Sequence, residues 1–207
     1  MIAPDLPALR PLLDLAGTAV FALSGALVAA RLKQSFVAMA FFALLTGVGG
    51  GSVRDVLIGV PAFWLRDPWV APVVFGTALI AWFTPRRWME SHALEWADAA
   101  GLAAFATLGT AKALAFDVAP LPAVVLGVIT GCVGGIIRDV IAGLPSILMR
   151  PELYVTAAAL AAALCAILIA AGLPQTGAMA IAALTGFALR GAAMIWQIEL
   201  PPYSREA

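Results

Sequence analysis

Moved along itself by 84 residues, this sequence meets a second copy of its own pattern without a gap. Asp14-x-x-Gly17-x-x-x-Phe21-Ala22-x-x-Gly25 falls on Asp98-x-x-Gly101-x-x-x-Phe105-Ala106-x-x-Gly109, and TGVGGGSVRDVLIGVP (46–61) falls on TGCVGGIIRDVIAGLP (130–145). Between Asp14 and Pro68, 18 of 55 positions are identical to their counterparts. Alanine and glycine inflate that figure, but Thr46/Thr130, Arg54/Arg138, Asp55/Asp139 and Pro61/Pro145 do not depend on composition. The chain is an internal duplication. Each copy contains three apolar stretches of the length that crosses a bilayer, about 20 residues. Three is an odd number, so the second copy must enter the membrane from the opposite face. The expected architecture is an inverted repeat, with its working site near the midplane between the copies.

Composition supports a lipid setting. Hydrophobic residues make up 63% of the 207 and charged residues 12%, against about 25% charged in a soluble domain. Twelve basic and twelve acidic residues cancel, which leaves no basic footprint for nucleic acid. The opening MIAPDLPALRPLLD has neither the basic start nor the cleavage site of a signal peptide. Cys132 and Cys165 lie inside apolar stretches and read as small packing residues.

Seven all-α spans follow, at 12–31, 36–58, 69–84, 96–115, 121–142, 152–171 and 176–196. They form one membrane domain over 1–207: repeat 1 at 12–84, repeat 2 at 96–171, and a seventh helix with no counterpart. Trp64, Trp69, Trp88, Trp96 and Trp196 fall at or just beyond span ends, as interfacial anchors do. With the N-terminus outside, the inner side carries Arg31, Lys33, Arg86, Arg87, Arg150, Arg190 and Arg205, and the outer side only Arg10 and Arg66. That asymmetry predicts an outside N-terminus and a cytoplasmic C-terminus.

The chemistry-bearing residues repeat with the fold. Gly49-Gly50-Gly51 lies just past the middle of helix 2, and Gly134-Gly135 lies at the matching place in helix 5. Adjacent glycines weaken a helix by about 1 kcal/mol each and invite a kink. The expectation is two kinked helices, 2 and 5, flanking a path, with Thr46, Ser52 and Thr130 nearby. The same glycines also form GxxxG pairs, Gly47/Gly51 and Gly131/Gly135, which serve close packing. Beyond each glycine run stands an Arg-Asp pair, Arg54-Asp55 and Arg138-Asp139. Intramembrane charges are costly and seek partners; helix register offers Asp14 to Arg54 and Asp98 to Arg138. Lys112, deep in helix 4, aligns with Val28 and so breaks the symmetry. It reads either as a movable ammonium gating a path or as a side chain snorkelling to the headgroups. Arg190 reads as a snorkelling anchor, and Ala157–Ala163 and Gly186–Gly191 as small-residue faces for an oligomer.

Catalytic and metal chemistry find no support. His92 is the single histidine and has no cysteine or carboxylate cluster with which to hold a metal. Ser24, Ser52 and Ser146 have no histidine base, and GVGGGS lacks the GK[ST] ending of a phosphate loop. The chain is read as a non-enzyme without cofactors.

The doubled GG-x-x-R-D motif, with D-x-x-G-x-x-x-F-A opening each copy, resembles bacterial members of the trimeric intracellular cation (TRIC) channel family. Related two-repeat bacterial proteins have also been called glycine transporters. The resemblance covers about 14–196. It implies a homotrimer among membrane lipids, one pore per protomer, and conduction of monovalent cations, chiefly potassium with sodium also passing. It places the pore kinks at Gly49–Gly51 and Gly134–Gly135, and the gating lysine at Lys112. It also implies a bacterial inner membrane. The long charged C-terminal tail and KEV triplet of animal members are absent, so their phosphoinositide or calcium sensitivity is not carried over. The residues themselves leave two readings: a cation channel lined by helices 1, 2, 4 and 5, or a secondary transporter of a small amino acid such as glycine.

Overall fold

A computed structural model of the chain describes residues 9–85, 92–149 and 151–201, without the side chains of 9–12 and 93. Arg86, Arg87, Trp88, Arg150 and Arg205, which entered the orientation argument, lie outside the described residues. Seven α-helices are described: α1 (Leu9–Arg31), α2 (Phe36–Ile58), α3 (Val70–Phe83), α4 (Ala93–Ala115), α5 (Pro120–Ile141), α6 (Val155–Ala170) and α7 (Gln175–Trp196). Two single 3₁₀ turns, Phe63–Leu65 and Ile147–Met149, precede α3 and α6.

Local chemistry sets the helix ends. The Ser35 hydroxyl accepts from the Ala38 amide at 3.3 Å and opens α2, as an N-cap serine should. Gly59 and Gly143 close α2 and α5 with φ of +81° and +65°. Beyond each, Val60 donates to the Asp55 carbonyl and Leu144 to the Asp139 carbonyl, both at 2.9 Å. This glycine-dependent stop is followed by Pro61 and Pro145, which forbid another turn. Each linker then bends back over the helix end. Consequently α3 and α6, repeat counterparts, are the two short helices of 14 and 16 residues, and the expected span at 152–171 begins three residues late. Leu13–Arg31, α2, α5 and α7 are long and apolar enough to cross a membrane on their own; α4 has the length but carries Glu95, Asp98 and Lys112.

The bundle is apolar outside, and its apolar core encloses a set of buried charges and hydroxyls. Arg54, Asp55, Thr46 and Thr130 are fully buried, while Phe75, Phe83, Val56, Val140 and Leu184 are exposed. Such a surface suits lipid and not water. At the centre Phe21 stacks on its repeat counterpart Phe105, with centroids 5.2 Å apart. Gly17 faces the Phe105 ring and Gly101 faces the Phe21 ring, so the packing is reciprocal.

The glycine runs are the crossing point of α2 and α5, and both helices stay helical through them. A Cβ on Gly134 would lie 2.6 Å from the Thr46 carbonyl oxygen, and one on Gly50 would overlap the Thr130 carbonyl oxygen. Close packing of the GxxxG kind is therefore part of what these glycines do. The small-residue faces on α6 and α7 turn inward, contrary to the oligomer expectation. Ala157, Ala158, Ala161 and Ala162 are buried, and a Cβ on Gly186 would meet that of Ala161 at 2.7 Å. They join α6 to α7 within one protomer, because alanine and glycine let two backbones approach whichever neighbour the fold supplies.

Candidate functional site

Inversion puts the two Arg-Asp pairs at opposite ends of the bundle, each between a first-repeat and a second-repeat helix. Their backbone settings are copies. Asp55 Oδ2 accepts from the Phe63 amide at 2.8 Å, and Asp139 Oδ2 accepts from the Ile147 amide at 2.9 Å. Each aspartate thereby pins the returning linker to its helix. Arg54 Nε donates to Asp55 Oδ1 at 2.8 Å and Arg138 Nε to Asp139 Oδ1 at 2.9 Å.

Beyond that shared frame the ends diverge. At the Arg138 end, Nη1 donates to Asp98 Oδ1 and to the Ser24 hydroxyl, and Nη2 lies 2.8 Å from Asp139 Oδ1. At the Arg54 end, Nη1 stands 4.0 Å from Asp14 Oδ1, too far for a hydrogen bond. Both sequence-proposed pairings are brought together, but only Asp98–Arg138 is a bonded contact. Lys112 does not snorkel; its ammonium donates to Asp55 Oδ1 at 2.8 Å, across the repeat interface. Ser52 accepts from the Trp64 indole at 2.9 Å and donates to the Val48 carbonyl, so it ties the linker to α2. The Thr130 hydroxyl donates to the Leu126 carbonyl; the buried Thr46 hydroxyl has no partner.

The Arg138 end opens into a cavity of about 900 Å³ whose walls include Val28, Asp98, Arg138, Asp139, Glu152 and Arg190. Sequence reasoning missed Arg190 in its wall and the buried Tyr154 against which Arg190 packs. Arg190 is not a snorkelling anchor: it is buried, donates to Glu152, and stands over the Tyr154 ring at 5.4 Å. Tyr154 is itself 1% exposed, next to Gly135, where a Cβ would fall 2.7 Å from its hydroxyl. A signal existed. Tyr154 aligns with Val70 and Glu152 with Pro68, so polar residues had replaced apolar or rigid ones in the second copy alone. Ser24 departs in the other direction: its counterpart in the second copy is the apolar Leu108.

A lipid-facing bundle with inverted halves, and with both buried Arg-Asp pairs at the interface between them, defines a multi-pass membrane protein. A family profile described as "Glycine transporter" matches the chain twice, over residues 11–86 and 95–171. The chain belongs to that family. Relatives include the UPF0126 membrane protein of Vibrio cholerae, 36% identical over 93% of this chain and 82% of that protein. The UPF0126 inner membrane protein YadS of Escherichia coli is 37% identical over 93% of this chain and 95% of its own length. The fold matches the TRIC trimeric intracellular cation channel orthologue from Rhodobacter sphaeroides, with TM-score 0.84 and 35% identity over 92% of this chain and all of that one. A second TRIC cation channel structure matches with TM-score 0.82 and 28% identity over 95% of this chain and 98% of that one. The chain is accordingly a TRIC-like, seven-helix inner-membrane protein.

Proposed function

We propose that the chain is a monovalent cation channel, passing potassium and sodium, with one pore in each protomer of a homotrimer. The observation that carries this reading is a charged cluster at each end of the repeat interface, one of them closed by a lysine. At one end a charge-lined cavity reaches the Arg138-Asp139 cluster; at the other, the Lys112 ammonium rests on buried Asp55. An ammonium at that place is a plug that a permeating cation must displace or wait upon. In this reading Thr46, Thr130, Gly49–Gly51 and Gly134–Gly135 bound the narrow passage between the two clusters. Asp14, Arg54, Asp98 and Arg138 keep its ends charged without committing net charge to the middle, which suits a poorly selective pore. Likeness to trimeric cation channels supports the ion class and the trimer. The cavity then faces the cytoplasm, with the N-terminus outside.

The test is single-channel recording of the purified protein in a planar bilayer under asymmetric KCl. Discrete steps reversing near the potassium potential, with open probability raised by Lys112→Ala, are expected. A second reading, a secondary transporter of a small amino acid such as glycine, draws on the family's description and on the inverted repeat, an architecture proper to alternating access. A silent bilayer together with saturable glycine uptake into liposomes would replace the first reading with the second.

A further inference from the structure

The two Arg-Asp clusters are copies in sequence and backbone, yet one oxygen in each is shared differently. Asp139 Oδ1 receives two groups of one residue, Arg138 Nε at 2.9 Å and Nη2 at 2.8 Å. Asp55 Oδ1 receives Arg54 Nε at 2.8 Å and, in the second place, Lys112 Nζ at 2.8 Å. The ammonium fills on Asp55 the second donor place that Arg138 Nη2 fills on Asp139. Arg54 Nη1 and Nη2 are left without hydrogen-bond partners, although the residue is fully buried, and Asp14 remains 4.0 Å away. Unbonded donors on a buried cation are a high-energy arrangement. The Arg138 cluster escapes it because the counterpart of Lys112 is Val28, which also lines the cavity and has nothing to donate.

We infer that Arg54 is the counterweight to Lys112: the two cations compete for one oxygen of Asp55, and the open guanidinium fork is what lets the lysine leave. As Lys112 withdraws, Arg54 Nη2 takes its place on Oδ1 and Nη1 closes on Asp14, reproducing the arrangement already present at the Arg138 end. Asp55 is thus never stranded, and the latched and released states are brought close in free energy. Arg54 is a positioning residue acting through Asp55. The inference deepens the proposed function, since it rests on Lys112 being the movable element.

The chain has two lysines, Lys33 and Lys112, and they lie at opposite ends of the bundle. The full-length protein in lipid nanodiscs is treated with a water-soluble N-hydroxysuccinimide ester, and acylation of each lysine is followed by mass spectrometry, with Lys33 as internal reference. Arg54→Gln removes the competitor, so release of Lys112 would strand Asp55. Acylation of Lys112 relative to Lys33 should slow by at least about tenfold, the scale of one charge-assisted hydrogen bond. An unchanged or faster rate, as expected if Arg54 merely staples the helices, overturns the inference. Should Arg54→Gln not fold, Arg54→Lys decides: it keeps the charge but not the fork, and slowed acylation supports the inference while an unchanged or faster rate overturns it. Acylation reports ammonium release and not ion flux. Slowed labelling with a silent bilayer therefore removes the channel reading and leaves the competition standing; cation currents with unslowed labelling do the reverse.

Discussion

Replacing Gly134 with alanine tests whether the crossing of α2 and α5 is set by backbone contact. The added Cβ would lie 2.6 Å from the Thr46 carbonyl oxygen, and ordinary contact begins at 3.4 Å, so the helices must part by roughly 0.8 Å. Neither partner offers an escape by rotamer change, since the obstacle is backbone. Overpacking of this kind costs about 1–3 kcal/mol, while alanine in place of glycine within a helix returns about 1 kcal/mol. Gly76→Ala in α3 supplies the control: nothing lies within 4 Å of its added Cβ, so only the helix-propensity gain applies. The difference between the two variants isolates the packing cost and should be about 1–3 kcal/mol. Unfolding by SDS titration in mixed micelles, followed by tryptophan fluorescence, measures it. Equal stabilities within about 0.5 kcal/mol would refute the view that the glycine run exists to bring these backbones together. Thr46→Ser should not rescue Gly134→Ala, because the blocking oxygen remains.

Other outcomes follow from the same geometry. Asp98→Asn leaves Arg138 short of its second carboxylate in a buried site and should destabilise by about 3–5 kcal/mol; Asp14→Asn, removing a 4.0 Å neighbour that is partly exposed, should cost about 1 kcal/mol or less, in the same SDS titration. Gly59→Ala and Gly143→Ala meet no neighbouring atom but force alanine to positive φ, so each should lose about 1–2 kcal/mol. Near-equal losses in the two variants would agree with equivalent helix stops in the two repeats. Glu152→Gln leaves the Arg190 charge in the cavity wall without its bonded carboxylate; cation current should fall at low ionic strength and recover toward wild type in high salt, where the Debye length is a few ångströms. A loss independent of salt would mean that the change acts on structure and not on the field.

Much of the fold was open to reading because its signals are local or periodic. An 84-residue offset fixed the inversion through the parity of three crossings, and glycine-proline stops at 59–61 and 143–145 placed two helix ends within a residue. Register alone carried Asp98 to Arg138 and Asp14 to Arg54, since repeat counterparts must sit at matched depths. Lys112 could be flagged by its lost symmetry, but its partner could not: Asp55 is 57 residues away, and depth says nothing of which way a helix is turned. Helices such as α3 and α6 are apolar all round, so no stripe marks their inner face. For that reason Ala157–Ala163 passed for an outer face. The seventh helix has no copy to calibrate it, and only packing decided that it would bring Arg190 to Glu152 and Tyr154. Sequence determined which charges enter the membrane and at what depth; the rotation of each helix about its axis decided which of them meet.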